Sequence, residues 1–198
     1  VPQVYEVHVE IEGSSIENSY EIYAFPKCHS KLGDVVNILR QKADTLPVIT
    51  DRYEELKRAV AEGRKVLFFG TGIRDAYAMI GTYCTDFWCY PMFRSISESM
   101  GKPVPVGTMG LSIDTASPLL KRFAQEDYTT PAWYAILQTA HVQRLPADVH
   151  PAVQMIDNTE RCARLGILYQ QDGVWHLTAR LWEKPDDPTV RALAWSLW

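Results

Sequence analysis

The chain has 198 residues, 46% of them hydrophobic, and a formal net charge of -4. This composition supports a folded core and excludes a disordered chain. No basic block is present to bind nucleic acid, and no apolar run is long enough to span a membrane. Four cysteines in a chain of this length do not form a disulfide scaffold. Because the chain begins Val1-Pro2 without an initiator Met, we expect it to be part of a longer protein.

Two β-strands are predicted at the N-terminus. Residues 4–11 alternate between polar and apolar side chains, Gly13 interrupts the pattern, and residues 20–25 resume it before Pro26. A lone hairpin is only marginally stable, so this pair requires a sheet to join. That sheet is either an upstream β-sandwich or the edge of the main domain.

The stretch 65–72 contains the clearest strand of the chain. Its four apolar residues, 66–69, lie between glycines and predict a strand that is buried on both faces. The preceding segment predicts a helix with a capping box at Asp51 and Glu54, a stop at Gly63, and one apolar face. The residues of that face are Tyr53, Leu56 and Val60.

The rest of the chain alternates between helical and strand patterns. Asp172-Gly173 is typical of a hairpin turn. Helices are predicted at 32–39, 73–80, 118–123, 131–139 and 188–197, and strands at 48–50, 109–114, 142–145, 153–157, 165–169 and 174–179.

This order of elements predicts an α/β fold. We expect a three-layer, flavodoxin-like domain over residues 27–198, with a mostly parallel sheet. Residues 1–26 are expected to be a separate strand segment.

The candidate chemistry is sparse. Gly70-Thr71-Gly72 lacks the remaining residues of either nucleotide-binding loop, so a tight turn is the preferred interpretation. Cys84 is not in the glycine-flanked elbow of a glutaminase, and no His-x-Glu pair follows it. The cysteines and histidines lack metal-ligand spacing. The sequence therefore predicts no catalytic residue, no metal site and no cofactor.

Three aromatic residues are candidates for ligand or interface contact. Trp88 and Tyr90 belong to an aromatic loop at 86–93, where a surface position would mark a contact site, and Trp133 lies in a predicted helix. Asp157 and Arg161 follow a predicted strand and are expected to form a structural polar corner.

An ordered series of segments resembles the C-terminal region of multidomain family 2 glycoside hydrolases, the beta-galactosidase-like proteins of gut bacteria. The series covers residues 16–182 approximately. It comprises Tyr-Glu-Ile-Tyr-Ala-Phe-Pro at 20–26, Phe-Trp at 87–88, Asp-Thr-Ala-Ser-Pro-Leu-Leu-Lys-Arg-Phe at 114–123, Asp-Tyr at 127–128, Trp133, Pro-Ala-Val-Gln-Met-Ile-Asp-Asn at 151–158, Arg161, and Leu-Gly at 165–166.

This resemblance implies an accessory role. In that family the catalytic glutamates lie in an upstream barrel, and no residue of this chain matches those motifs. The expected fold is similar to class I glutamine amidotransferases without their cysteine, and residues 1–26 would end an immunoglobulin-like domain. One departure is Cys162-Ala163-Arg164, where the family commonly has a lysine-rich segment.

The expected function is therefore interdomain packing, or control of active-site access, in a bacterial glycosidase that is periplasmic or secreted. The expected partners are other domains of the same parent chain, with carbohydrate and a second copy of the chain as further candidates. The alternatives are a free-standing, degenerate amidotransferase-like α/β enzyme and a carbohydrate-binding module.

Overall fold

A computed structural model describes residues 3–25, 48–70, 79–80, 95–96, 98–101, 110–123, 126–156 and 165–197. Its strands are β1 (Gln3–Glu10), β2 (Glu17–Ala24), β3 (Val48–Thr50), β4 (Val66–Phe69), β5 (Met79–Ile80), β6 (Gly110–Ile113), β7 (His141–Arg144), β8 (Pro151–Ile156), β9 (Leu165–Gln171) and β10 (Val174–Leu177). Its principal helices are α1 (Tyr53–Ala61), α2 (Tyr134–Leu137) and α3 (Pro188–Ser196), with short 3-10 turns at Pro131–Trp133 and Leu181–Glu183.

One mixed sheet contains seven of these strands, and the short β5 is attached to it at the start of β7. The path runs β3-β4-β10-β9, and β9 then pairs with β8, which pairs with β6. Strands β10 and β7 share one edge of β9, with β10 beside its C-terminal half and β7 beside its N-terminal end. The sheet therefore forks along that edge.

The prediction of a three-layer, flavodoxin-like domain with a mostly parallel sheet is wrong. Only the β3–β4 and β4–β10 pairs are parallel, whereas β10–β9, β9–β7, β9–β8, β8–β6 and β5–β7 are antiparallel. Parallel neighbours need a long crossover, usually a helix. Among the described residues, α1 supplies such a crossover between β3 and β4. A two-residue turn at Asp172-Gly173 instead joins β9 to β10 as an antiparallel pair.

The β3-α1-β4 unit agrees with the strand prediction, since all four residues of β4 are buried. Gly63, at a φ of 70°, ends α1 as predicted. The predicted capping box is absent, because the N-cap residue Arg52 makes no side-chain cap bond. The Thr50 hydroxyl instead accepts from the Arg52 backbone N–H at 3.0 Å and donates to Glu55 at 2.6 Å.

The apolar face of α1 is also narrower than predicted. Leu56 and Ala59 are buried against β4 and β10, whereas Tyr53 and Val60 remain exposed. The Lys57 ammonium lies 4.5 Å from the centre of the Tyr53 ring, so this ring contributes to a surface contact and not to the core.

The larger core lies on the opposite face of the sheet. There, α2, α3 and the turns at 115–123 cover the sheet, and the Ser196 hydroxyl of α3 donates to the Leu119 carbonyl at 2.6 Å. The fully buried side chains include Leu120, Ile136, Leu137, Val153, Ile167 and Leu193.

Several local predictions agree with the structure. The strands near 109–114, 142–145 and 153–157 and the final helix are present, and Asp172 and Gly173 form the β9–β10 turn with φ values of 50° and 77°. Residues 118–123 form turns and no helix, and Met79–Ile80, predicted as helical, belongs to β5. The helix predicted at 32–39 lies outside the described residues.

Thr178 lies at the fork of the sheet and is buried. Its backbone N–H donates to the Ile167 carbonyl at 2.9 Å, and its carbonyl accepts from the His141 N–H at 2.9 Å. Its hydroxyl donates to the same two residues' carbonyls. One residue thus connects the end of β10 to both β9 and β7.

We predict that Gly166→Ala destabilises the chain by about 1–3 kcal/mol, because overpacking a filled core forces its neighbours to move. A Cβ at this position would collide with Leu145 Cδ1 and would lie 2.9 Å from Tyr169 Cδ1. Gly110→Ala is a matched control, since its Cβ would meet Ile156 Cβ at an ordinary 3.5 Å. Urea denaturation measures both changes, and equal midpoints for the two variants would contradict the prediction.

Candidate functional site

The predicted site residues are only partly described by the structure. Trp88, Tyr90, Asp157 and Arg161 lie outside the described residues. Trp133 lies in the core with 2% of its surface exposed. Its ring packs edge-on against Phe123 at a centroid distance of 5.0 Å, so it is inaccessible to a ligand in this structure.

The N-terminal hairpin has one exposed apolar face. Strands β1 and β2 pair only with each other within the described part of the chain, and Tyr5 lies opposite Ile22 and Val7 opposite Tyr20. We define the hairpin face by its seven exposed apolar residues, whose exposed fractions lie between 38% and 63%. They are Tyr5, Val7, Val9, Ile11, Ile16, Tyr20 and Ile22.

The opposite face of the hairpin is acidic. Glu6 lies directly across from Glu21, and Glu10 lies across from Glu17. Like charges that face each other across a strand pair are destabilising. His8 lies between the two pairs, where its Nδ1 contacts the Ser19 hydroxyl at 2.7 Å and its Nε2 lies 3.5 Å from a Glu6 oxygen. The hairpin therefore gains little stability from this face.

Two aromatic residues attach the hairpin to the main core. Phe25 stacks on Phe123 with ring centroids 5.9 Å apart, and Phe123 in turn packs against Trp133. Tyr23 also packs against this core and donates a hydrogen bond to Glu21 at 2.8 Å. Burial and the neighbouring Glu21 carboxylate raise the pKa of Tyr23 to about 12, so its hydroxyl stays protonated. The base of the hairpin is thus fixed while its body projects from the domain.

A small polar cluster lies at the fork of the sheet. Arg180 pairs with Glu183 at 3.0 Å, and its backbone N–H donates to the Thr139 carbonyl at 3.1 Å. Burial and the nearby Arg180 guanidinium lower the pKa of His141, and Glu183 acts in the opposite direction. The His141 Nε2 is buried without a hydrogen-bond partner among the described residues. The cluster therefore places an imidazole whose protonation is disfavoured beside the Arg180–Glu183 ion pair.

A second, partly buried histidine lies on β10. The His176 ring stacks on Tyr169 with centroids 4.8 Å apart and planes 2° apart, and Phe68 meets it edge-on at 5.8 Å. Burial lowers the pKa of His176, an effect that Asp172 partly opposes. Burial likewise raises the pKa of Tyr169 to about 12, and its hydroxyl donates to Gln143 at 2.8 Å. These rings act as core side chains.

Neither polar group resembles a catalytic arrangement. The Thr178 hydroxyl beside His141 is bonded to backbone carbonyls and is not available as a nucleophile. Within the described ranges, no three His, Cys, Asp or Glu side chains come together to hold a metal ion. No helix in this part of the chain is long and apolar enough to cross a membrane. The hairpin face is therefore the strongest candidate for a functional surface.

Sequence reasoning detected the hairpin but not its exposed face. The alternating pattern predicts one polar and one apolar face, and it does not show whether the domain itself covers the apolar one. A further signal is the charge of residues 3–25, which include five glutamates and neither Lys nor Arg. The acidic residues are Glu6, Glu10, Glu12, Glu17 and Glu21.

We predict that Phe25→Ala loosens the hairpin and lowers the free energy of unfolding by about 2 kcal/mol. The substitution removes a half-buried ring and so leaves Phe123 without its stacking partner. Tyr5→Ala, on the exposed hairpin face, is the matched control. Urea denaturation gives the stabilities, and amide exchange of β2 reports the local loosening. Equal stabilities for the two variants would contradict this role of Phe25.

A second prediction concerns acid stability. His141 and His176 have folded-state pKa values below the ordinary 6.5. As the pH falls through the unfolded-state value, the unfolded chain binds protons that the folded chain does not, so stability decreases as the pH falls below about 7. His141→Gln and His176→Gln should each reduce this loss, as measured by urea denaturation at several pH values.

The control for this prediction is His150→Gln, which changes an exposed histidine. This variant measures the effect of a His→Gln change that touches neither of the two packed rings. If the double variant of His141 and His176 keeps the full loss of stability, then burial of these rings does not cause the acid sensitivity.

Comparison with known proteins identifies a family without a described activity. Residues 48–172, more than half of the chain, match a family described as a domain of unknown function, DUF8487. This range includes α1 and strands β3 to β9, but neither β10 and Thr178 at the fork of the sheet nor the N-terminal hairpin. No curated protein matches the chain. The chain belongs to the DUF8487 family.

Proposed function

We propose that this chain is a non-catalytic accessory domain of a beta-galactosidase-like glycoside hydrolase, and that it acts by packing against other domains of the same parent chain. The sequence resemblance supports the choice of parent. The observation that carries the packing role is the hairpin face, an amphipathic pair of strands whose apolar side is exposed.

The hairpin face is well suited to contact within one chain. A two-stranded hairpin is marginal in water, and its two opposed glutamate pairs weaken it further. Covering the apolar side would supply the missing stabilisation. The hairpin also has a fixed base at Phe25 and Phe123, so a domain that packs on it would take a defined position relative to the main sheet.

The area of the hairpin face is sufficient for packing against a covalently linked neighbour. Seven side chains that are about half exposed present roughly 300–550 Å² of apolar surface. A stable complex of separate proteins buries about 800 Å² on each partner, of which roughly 57% is apolar. A linked domain needs less area, because the linkage raises its effective concentration.

We predict that the 198-residue chain alone does not hydrolyse nitrophenyl glycosides, whereas the complete product of its gene does. The test is nitrophenol release across galactoside, glucoside and glucuronide substrates. Activity of the isolated chain that is lost on replacing one of its own carboxylates would contradict the non-catalytic role. A complete gene product that cleaves no glycoside would contradict the proposed parent.

A further inference from the structure

The outer edge of β1 is an unblocked strand edge. The strand is eight residues long, and within the described part of the chain its only strand partner is β2. Natural sheets normally block such an edge with Pro, Lys or a bulge, since it otherwise pairs with another strand. Strand β1 contains neither Pro nor Lys, and its register with β2 is regular from Gln3–Ala24 to Glu10–Glu17. The edge is therefore able to accept a further strand.

The backbone groups on this edge belong to the even-numbered residues of β1. The Ile11 N–H donates to the Ile16 carbonyl at 3.0 Å, so the backbone of Ile11 is directed toward β2. Because these directions alternate along an antiparallel strand, residues 5, 7 and 9 also bond to β2, and the backbone groups of residues 6, 8 and 10 point away from it. The side chains of residues 5–10 are all exposed, so a second strand can reach these groups.

The sequence of β1 is complementary to itself in one antiparallel register. When Val7 lies opposite Val7 of a second copy, Glu6 lies opposite His8 of that copy. A shift by two residues in either direction places glutamates opposite each other, Glu6 against Glu6 or Glu6 against Glu10, and like charges in that position are destabilising. A shift by one residue would set the apolar face of one strand beside the acidic face of the other. The register at Val7 therefore opposes an imidazole, and not a carboxylate, to each Glu6.

We infer that two copies of the chain associate through β1, which pairs with itself in antiparallel fashion about a two-fold axis at Val7. Glu6 and His8 exchange backbone hydrogen bonds with the second copy, and Tyr5 lies beside Val9 of that copy. The two hairpins thus form one sheet of four strands with a continuous apolar face. A lone hairpin is marginally stable, whereas three or more strands with an apolar face are independently stable. This contact uses the edge of the hairpin, so it does not depend on the proposed function and leaves the hairpin face available to another domain.

The acidic charge of the hairpins limits the strength of this association. Residues 3–25 contain five glutamates and neither Lys nor Arg, and like charges at a contact oppose association. The His8 Nε2 lies 3.5 Å from a Glu6 oxygen of its own strand, and the two-fold axis places Glu6 of the second copy opposite the same ring. Each imidazole therefore lies between two carboxylates. Salt screens the remaining repulsion, so the dimer should be more stable at high ionic strength.

The first test is sedimentation equilibrium of the 198-residue chain and of the complete product of its gene. We expect both to dimerise between about 1 μM and about 300 μM, the range of weak association. The dimer should be more populated at about 0.5 M salt than at about 0.05 M salt. Two proteins that remain monomeric over the whole range would overturn the inference.

The second test is amide hydrogen exchange, measured for each residue by NMR. The N–H groups of Glu6 and His8 should exchange at least about tenfold more slowly in the dimer than after dilution to the monomer. Those of Val7 and Val9 should change less, because they bond to β2 in both states. A cover over the hairpin face would not produce this alternation, and its absence would overturn the edge contact. Amides of Glu6 and His8 that are protected at every concentration of the complete product would assign the edge to the parent chain itself, which would also overturn it.

Charge variants test the register. His8→Glu sets two carboxylates opposite each other on both sides of the axis and should weaken dimerisation about tenfold. Ser19→Glu is the matched control, since it adds the same charge to the same face of the hairpin but on β2, and it should have a smaller effect. The double variant Glu6→His, His8→Glu again opposes an imidazole to each carboxylate and should recover the original affinity. A double variant as weak as His8→Glu alone would overturn the register.

Discussion

Strand β9 is the element on which the rest of the sheet depends, because both of its edges are bonded along most of its length. Strand β8 occupies one edge, and β10 and β7 divide the other. Thr178 closes the gap between these two strands by bonding to Ile167 and His141 through both backbone and side chain. A buried backbone group without a partner is costly, so this residue allows the fork to exist inside a core. The parallel unit and the antiparallel half of the sheet are thereby joined in one structure.

Local features of the sequence predicted local features of the structure. The four apolar residues of β4, the left-handed stop at Gly63 and the turn at Asp172-Gly173 depend on neighbouring residues, and each is present. The direction of the strands depends instead on which distant segments become neighbours. Val66 pairs with Val174, and no pattern within either segment specifies that choice. The prediction of a mostly parallel sheet therefore failed although many of the individual strands were correct.

In the candidate site, too, local features were predictable from the sequence and contacts between distant segments were not. The alternation of Tyr5, Val7 and Val9 with glutamates predicted an amphipathic strand, and the structure adds that this domain does not cover its apolar side. Trp133 illustrates the opposite case. An aromatic residue in a short helix is equally compatible with a surface platform and with a core position, and only its contact with Phe123 distinguishes them. Burial is a property of the assembled sheet, which the sequence pattern does not contain.

The pairing of β4 with β10 also governs the order in which the chain can fold. More than a hundred residues separate the two strands, so their contact closes a very long loop, and such contacts slow folding. During synthesis, β3, α1 and β4 leave the ribosome long before β10 does. Until β10 is made, the fully apolar strand β4 therefore has one edge without a strand partner, and exposed edges of this kind promote aggregation. Strand β4 is therefore open to aggregation in the nascent chain until β10 has been made.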